Sequence, residues 1–229
     1  MNRIQIAVDG PSGAGKSTLS KAIAARLGIV YVDTGALYRT VGYYARSQGI
    51  AVDECERVVP HLKDICIEVK YENGVQCVYL NGENLGDRIR ENDISMYASC
   101  VSKVPEVRAF LLDTQKQIAE QNSVIMDGRD IGTVILPDAD VKIFMTASNE
   151  ERAKRRFLEL QQKGMPASYE EILADMIKRD AQDSQREIAP AVAAPDAVLF
   201  DNSGNTFEES VEQMLEIIEK ALAQKGKSL

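Results

Sequence analysis

One histidine, His61, is all the chain has, and no set of partner residues accompanies it, so catalysis centred on histidine is not expected. Cysteine is scarce too. Cys55, Cys66, Cys77 and Cys100 are widely spaced, with no Cys-x-x-Cys and no Cys/His cluster. That pattern predicts reduced thiols packed as small apolar groups and gives no metal or redox motif. No apolar run approaches the roughly 18 residues that a membrane-spanning helix needs. The chain enters a strand pattern at once, so no signal peptide is expected and a cytoplasmic location is inferred. Positive charge is in deficit, with 27 Lys and Arg against 35 Asp and Glu and a net charge of −8. Nucleic acid and anionic membrane would both repel such a chain, so neither is expected as a partner. Basic residues must then matter where they cluster. Internal repeats and low-complexity tracts are also missing. The 229 residues suit one compact unit with an elaboration, or at most two domains.

Against these absences stands one strong motif. Residues 10 to 18 read Gly10-Pro11-Ser12-Gly13-Ala14-Gly15-Lys16-Ser17-Thr18, directly after the apolar run Ile4-Gln5-Ile6-Ala7-Val8-Asp9. This is a phosphate loop, G-x-x-x-x-G-K-[ST]. Its glycines let the backbone bend until successive N–H groups point into one concavity. The helix expected from Lys16 adds its positive N-terminal end. Lys16 can reach β/γ-phosphates, and the Ser17 hydroxyl can sit on Mg²⁺. With a strand pattern before the loop and a helical pattern through Leu27 after it, the chain is expected to bind a nucleoside triphosphate or a close analogue.

Gly28 stops that helix, and a short strand Ile29-Val30-Tyr31-Val32 ends in Asp33-Thr34-Gly35. A helix over 36–48 follows. Residues 65–71 and 75–80 then read as an antiparallel hairpin or meander, with turns at Glu72-Asn73-Gly74 and Asn81-Gly82. Two helices are expected at 91–102 and 106–121, separated by Pro105. Strands return at 123–126 and 141–145. Helices follow at 149–163 and 169–186, broken by Gly164-Met165-Pro166. A last strand at 197–200 and an amphipathic helix at 207–223 close the chain. Apolar strands alternating with helices predict an α/β fold with a parallel sheet covered on both faces. Sites in such sheets lie at the C-terminal strand ends, where Asp9, Asp33 and Asp127 fall.

Phosphoryl transfer needs cationic clamps, because charge spreads over the transferring oxygens. Arg39 lies one helical turn past Asp33-Thr34-Gly35. Arg129 follows the strand end at Asp127. Arg152, Arg155 and Arg156 cluster on one helix, and Arg179, Asp183 and Arg186 share a helix face by their spacing. Any of these arginines could equally form an ordinary surface ion pair. Asp130 and Asp183 could accept hydrogen bonds from an amino group or a ribose hydroxyl. Asp127 suits either a helix cap or a partner of Mg²⁺-bound water.

The segments Asp33-Thr34-Gly35-Ala36-Leu37-Tyr38-Arg39 and Asp127-Gly128-Arg129-Asp130-Ile131-Gly132-Thr133 carry a specific resemblance. With Arg179-Asp180-x-x-Asp183-x-x-Arg186 and the phosphate loop, the chain resembles the bacterial cytidylate kinase family over essentially its whole length. Thr34 stands where that family usually has serine, which keeps a hydroxyl. The resemblance implies a P-loop NTPase fold with a five-stranded parallel sheet, a β-rich nucleoside-monophosphate-binding insert at 36–104 and a helical lid at 150–166. The core would be 1–35, 105–149 and 167–229. It implies ATP-dependent phosphorylation of CMP and dCMP by a monomer. Gly10, Pro11, Ser12, Gly13, Ala14, Gly15, Lys16, Ser17 and Thr18 would bind ATP. Thr34, Arg39, Ser99, Arg108, Arg129, Asp130, Arg179, Asp183 and Arg186 would bind CMP. Ser17, Asp33 and Asp127 would attend Mg²⁺, partly through water. Lys16, Arg152, Arg156, Arg179 and Arg186 would serve catalysis. The rival readings are a P-loop kinase of another small acceptor (UMP, AMP or a metabolite hydroxyl) and a nucleotide-hydrolysing switch or motor. No guanine-reading Asn-Lys-x-Asp and no apolar strand ending in Asp-Glu supports the latter.

Overall fold

The computed structural model describes residues 3–72, 75–91, 93–162 and 164–227. The turn expected at Asn73-Gly74 lies outside them. In chain order, β1 (Gln5–Asp9) leads through the glycine-rich loop to α1 (Lys16–Leu27), and β2 (Val30–Asp33) leads to α2 (Thr34–Ser47). A 3₁₀ segment over Cys55–Asp64 precedes β3 (Ile67–Glu72), β4 (Val75–Leu80) and the short β5 (Glu83–Asn84). A second 3₁₀ segment, Gly86–Arg90, precedes α3 (Ile94–Val101) and α4 (Pro105–Gln121). Then come β6 (Val124–Gly128), a single wide helical turn at Ile131–Ile135, β7 (Val141–Thr146), α5 (Asn149–Gln162), α6 (Tyr169–Gln185), β8 (Val198–Asp201) and α7 (Phe207–Gln224).

The expected five-stranded sheet is present, in the order β2-β6-β1-β7-β8. β1 pairs in parallel with both β6 and β7, and β7 with β8. In β1 the residues Ile6, Ala7, Val8 and Asp9 are all buried. Consecutive strand residues point to opposite faces, so both faces are covered, as a parallel sheet requires. One core joins Ile6, Val8, Ile125, Ile143 and Met145 of the strands to Leu19 and Ile23 of α1 and Met214 and Ile218 of α7. Capping sharpens α7: Thr206 and Glu209 bond each other's backbone amides in a capping box.

The chain divides into two compact units, residues 1–31 with 122–229, and residues 32–121. The second carries the three-stranded antiparallel sheet β3-β4-β5, the hairpin or meander read from sequence. It runs wider than the 36–104 segment marked out there, because Val107 and Leu111 of α4 share a core with Leu37 and Val41 of α2. Pro105 does not separate two helices but opens α4, since the first helical position needs no intrahelical N–H bond. One expectation is corrected outright. Cys55 and Cys100 are joined in a disulfide, with Cα atoms 5.9 Å apart, as the 3₁₀ segment packs its Cys55 and Val58 into the core that also holds Val101 of α3. Cys66 and Cys77 remain thiols.

Candidate active site

The phosphate loop leaves β1 where no side chain would fit. Gly10 has φ +144°, and a Cβ there would lie 1.9 Å from the Met145 carbonyl oxygen. The loop's own carbonyls are tied outward by side chains. Lys16 Nζ donates to Pro11 O at 2.8 Å, Arg152 Nη1 to Ser12 O at 2.7 Å, and Asn202 Nδ2 to Ala14 O at 3.1 Å. With these oxygens occupied, the intervening amides are left for an anion, the requirement of a phosphate cradle.

Lys16 is buried. Burial and the nearby charges of Arg129 and Arg179 push its ammonium pKa down to about 7, while Asp127 and Asp9 pull the other way. The cationic excess around the loop is one that a polyphosphate would relieve. At its edge Ser17 Oγ donates to Asp127 Oδ2 at 2.6 Å, and the buried Tyr31 hydroxyl donates to Asp127 Oδ1 at 2.8 Å. A hydroxyl beside an oriented carboxylate is the all-oxygen donor chemistry that Mg²⁺ prefers, so these residues fit the ion. Asp33 fits it poorly. Its Oδ1 accepts from Ala36 N at 2.9 Å as the cap of α2, and its Oδ2 accepts from Arg39 at 2.7 Å.

Within the same unit, two arginine–carboxylate pairs link the segment after β6 to α6 and its end. Arg129 Nε meets Asp183 Oδ2 at 3.0 Å. Arg186 Nη2 lies 3.8 Å from Asp130 Oδ1; Asp130 is buried and the arginine side chain is 10% exposed. Arg186 Nε also donates to Ala189 O at 2.5 Å. Beside them a cleft of about 320 Å³ is lined by Pro11, Thr146, Arg152, Asp180, Asp183 and Ser184.

The clustered arginines separate sharply. Arg152, expected to act on the transferring group, is 2% exposed. Besides Ser12 O it donates to Ala147 O at 3.1 Å, to Asn149 Oδ1, and to Asp180 Oδ2 at 2.5 Å. Four of its N–H groups are therefore committed to the protein, and it serves as a tie between loop, α5 and α6. Arg155 reaches Asn202 O at 3.1 Å and Ala14 O at 3.4 Å. Arg156 is half-buried, and among the described residues it pairs with Glu159 one turn on, at 2.8 Å. Asn202 and Asp180 were not singled out from sequence. Asn202 follows β8, so the rule that sites gather at strand ends could have found it. Asp180 lies inside the Arg179-Asp180-x-x-Asp183-x-x-Arg186 segment, where its neighbour Arg179 is the more obvious phosphate ligand.

The second unit holds the other candidates. Arg108 is buried, donates to Ser102 O at 3.3 Å and stands over the Tyr38 ring at 5.8 Å. Ser99 lies one turn before that carbonyl, on α3. Thr34 is buried at the start of α2. Gln76 Oε1 fixes this end of β2 by accepting from Asp33 N at 2.7 Å.

Comparison with known proteins agrees in kind. The family model described as cytidylate kinase matches residues 6–220. A cytidylate kinase from Caldicellulosiruptor saccharolyticus is 47% identical over 222 residues, covering 97% of this chain and 98% of its own. One from Fervidobacterium nodosum is 49% identical over 216 residues, covering 94% and 96%. Among solved structures, an uncharacterized protein from Eubacterium ventriosum superposes with a TM-score of 0.53 at 14% identity, covering 96% of this chain and 99% of its own, a likeness of fold alone.

Proposed function

The chain belongs to the cytidylate kinase family, and on that premise we propose that it transfers the γ-phosphoryl group of ATP to CMP and dCMP, giving ADP with CDP or dCDP. The observation that carries the reading is the match to relatives of that name along nearly the full length of both chains. The cationic phosphate cradle around Lys16 supports it. The acceptor is itself a phosphate whose oxygen is a competent nucleophile, so no general base is required. Rate enhancement comes from holding donor and acceptor in line and from positive charge placed where negative charge develops.

Residues 10–18 hold the ATP phosphates, with Lys16 on the β/γ-oxygens. Ser17 and Asp127 would hold Mg²⁺, which supplies charge neutralisation on the phosphate oxygens when bound. In the first unit Arg129, Asp130, Arg179, Asp183 and Arg186 serve the acceptor; in the second, Thr34, Arg39, Ser99 and Arg108 do. Cytosine presents an amino donor beside N3 and O2 acceptors, which a carboxylate, an arginine and a hydroxyl complement. Arg156, half-buried on α5 and held only by its pair with Glu159 among the described residues, is the lid arginine that meets the transferring group, and residues 150–166 close over it to exclude water. The enzyme works as a monomer in the cytoplasm. Among the described residues no helix is long and apolar enough to cross a membrane.

Coupled assays with ATP and Mg²⁺ across CMP, dCMP, UMP and AMP test the reading. CMP and dCMP should give the highest kcat/KM. Equal or higher values for UMP or AMP would overturn the acceptor assignment.

A further inference from the structure

Asp9 closes the central strand of the sheet, and the phosphoryl transfer proposed for the chain gives it no part. Its side chain is buried, a costly place for a carboxylate unless hydrogen bonds compensate. Two do, from 122 and 123 residues away. Ile131 N donates to Oδ1 at 2.7 Å and Gly132 N to Oδ2 at 2.8 Å. These amides open the helical turn Ile131–Ile135. The first N–H groups of any helical turn have no partner within it, and Asp130 makes no capping bond with its own side chain. Asp9 therefore caps the turn from a distant strand, with its negative charge at the favourable end. The fit on the far side is tight. A Cβ on Gly132 would lie 3.2 Å from the Lys142 side chain and 3.4 Å from Asp9 Oδ2. Lys142 is itself held at 2.8 Å by Asp196.

The two residues just before the capped turn are Arg129 and Asp130, which make the contacts to Asp183 and Arg186. We propose that Asp9 is a positioning residue for acceptor recognition: by gripping the Ile131 and Gly132 amides it fixes the backbone that aims Arg129 and Asp130. The inference rests on the acceptor assignment proposed above for those two residues. Both Asp9 oxygens are occupied by amides, so it acts through them and not on substrate. Burial pushes its carboxyl pKa up to about 6, while the two amides and Lys16 favour the charged form. It is therefore still an anion at neutral pH.

The test is steady-state kinetics on Asp9→Asn, with Gly132→Ala attacking the same contact from the other side and Arg129→Ala as control. Asparagine keeps one acceptor and turns an N–H₂ toward the second amide. The KM for CMP should rise roughly 10-fold or more, as for loss of a buried bond to a charged group. The KM for ATP should stay within about 3-fold, and the preference for CMP over UMP should narrow. A parallel rise in both KM values would mean that Asp9 acts through neighbouring Gly10 and the donor loop, and would overturn the proposal. If Asp9→Asn does not fold, Gly132→Ala must show the same split, and its absence is equally fatal. Should Arg129→Ala raise the CMP KM while Asp9→Asn and Gly132→Ala do not, the positioning role alone fails. If Arg129→Ala leaves it unchanged, the acceptor assignment falls and this inference falls with it.

Discussion

Replacing Arg152 by methionine tests whether a buried arginine beside the phosphate loop is chemistry or architecture. Methionine keeps most of the aliphatic volume and removes every donor. Ser12 O and Ala147 O lose their partners at 2.7 and 3.1 Å, and Asp180 loses its counter-charge at 2.5 Å. The other Asp180 oxygen has no hydrogen-bond partner among the described residues, so the carboxylate would stand nearly uncompensated. Breaking a fully buried pair costs about 3–5 kcal/mol. The Asp180 side chain is 24% exposed, so water can recover part of that and the lower end, about 3 kcal/mol, applies. For a chain of this size the melting temperature should fall by about 6–12 °C. The KM for ATP should rise with it, because the loop carbonyl at Ser12 is no longer held. The double variant Arg152→Met/Asp180→Leu should recover much of the lost stability, since removing both partners leaves no orphaned charge. Arg156→Ala should do the opposite, melting within about 1 °C of wild type because its exposed pair contributes little, while kcat drops. Calorimetry and initial rates on the same preparations decide it. If Arg152→Met melts like wild type and loses kcat at an unchanged KM for ATP, the buried tie is not its role, and it acts on the phosphoryl group after all.

Lys16→Ala should abolish turnover while the melting temperature holds or rises, because the lysine is buried beside Arg129 and Arg179 and its removal relieves like-charge repulsion; near-normal kcat would refute the donor site. Asp130→Asn should lower kcat/KM for CMP by about 10- to 100-fold while UMP holds steady or improves, whereas a parallel loss on both would leave Asp130 as only the partner of Arg186. The Asp9 carboxyl titrates at about 6 in the fold against 3.8 for the ordinary group, so the native state binds the extra proton between those values. Its contribution therefore weakens the fold as pH rises through that window, by up to roughly 3 kcal/mol. Urea titrations from pH 4 to 7 should show wild type losing stability relative to Asp9→Asn as pH rises, and a constant gap would contradict the burial argument.

What sequence alone conveyed was whatever local spacing encodes. The phosphate loop, the strand ends at Asp9 and Asp127 and the alternation of strand and helix all lie within windows of a dozen residues. What it could not convey depends on which side of an element faces inward. Arg152, Arg155 and Arg156 look alike in a charged stretch, yet only Arg152 is turned fully into the protein. The segment Cys55–Asp64 spaces Cys55, Val58, Val59 and Leu62 as a helix would, but Pro60 interrupts it, and nothing local marks the approach of Cys55 to Cys100. The Asp9 cap and the Asn202 contact with Ala14 join residues more than a hundred positions apart. A single sequence carries no local mark of such pairings.

The strand order also sets a timetable for synthesis. β1 lies between β6 and β7, and Gln5 finds its partner at Val124. A ribosome adding about 5–20 residues per second therefore leaves β1 without either neighbour for roughly 6–24 s. During that interval α1 can pack on Ile6 and Val8, but the strand itself has no neighbour to take its backbone hydrogen bonds. The unit over residues 32–121 is contiguous and can finish while β1 waits. Chains truncated before residue 124 and released from the ribosome should thus carry a protease-resistant middle and a sticky, protease-sensitive start. Chaperones that hold short apolar segments should bind nascent chains at residues 4–9 and release them once β6 has emerged.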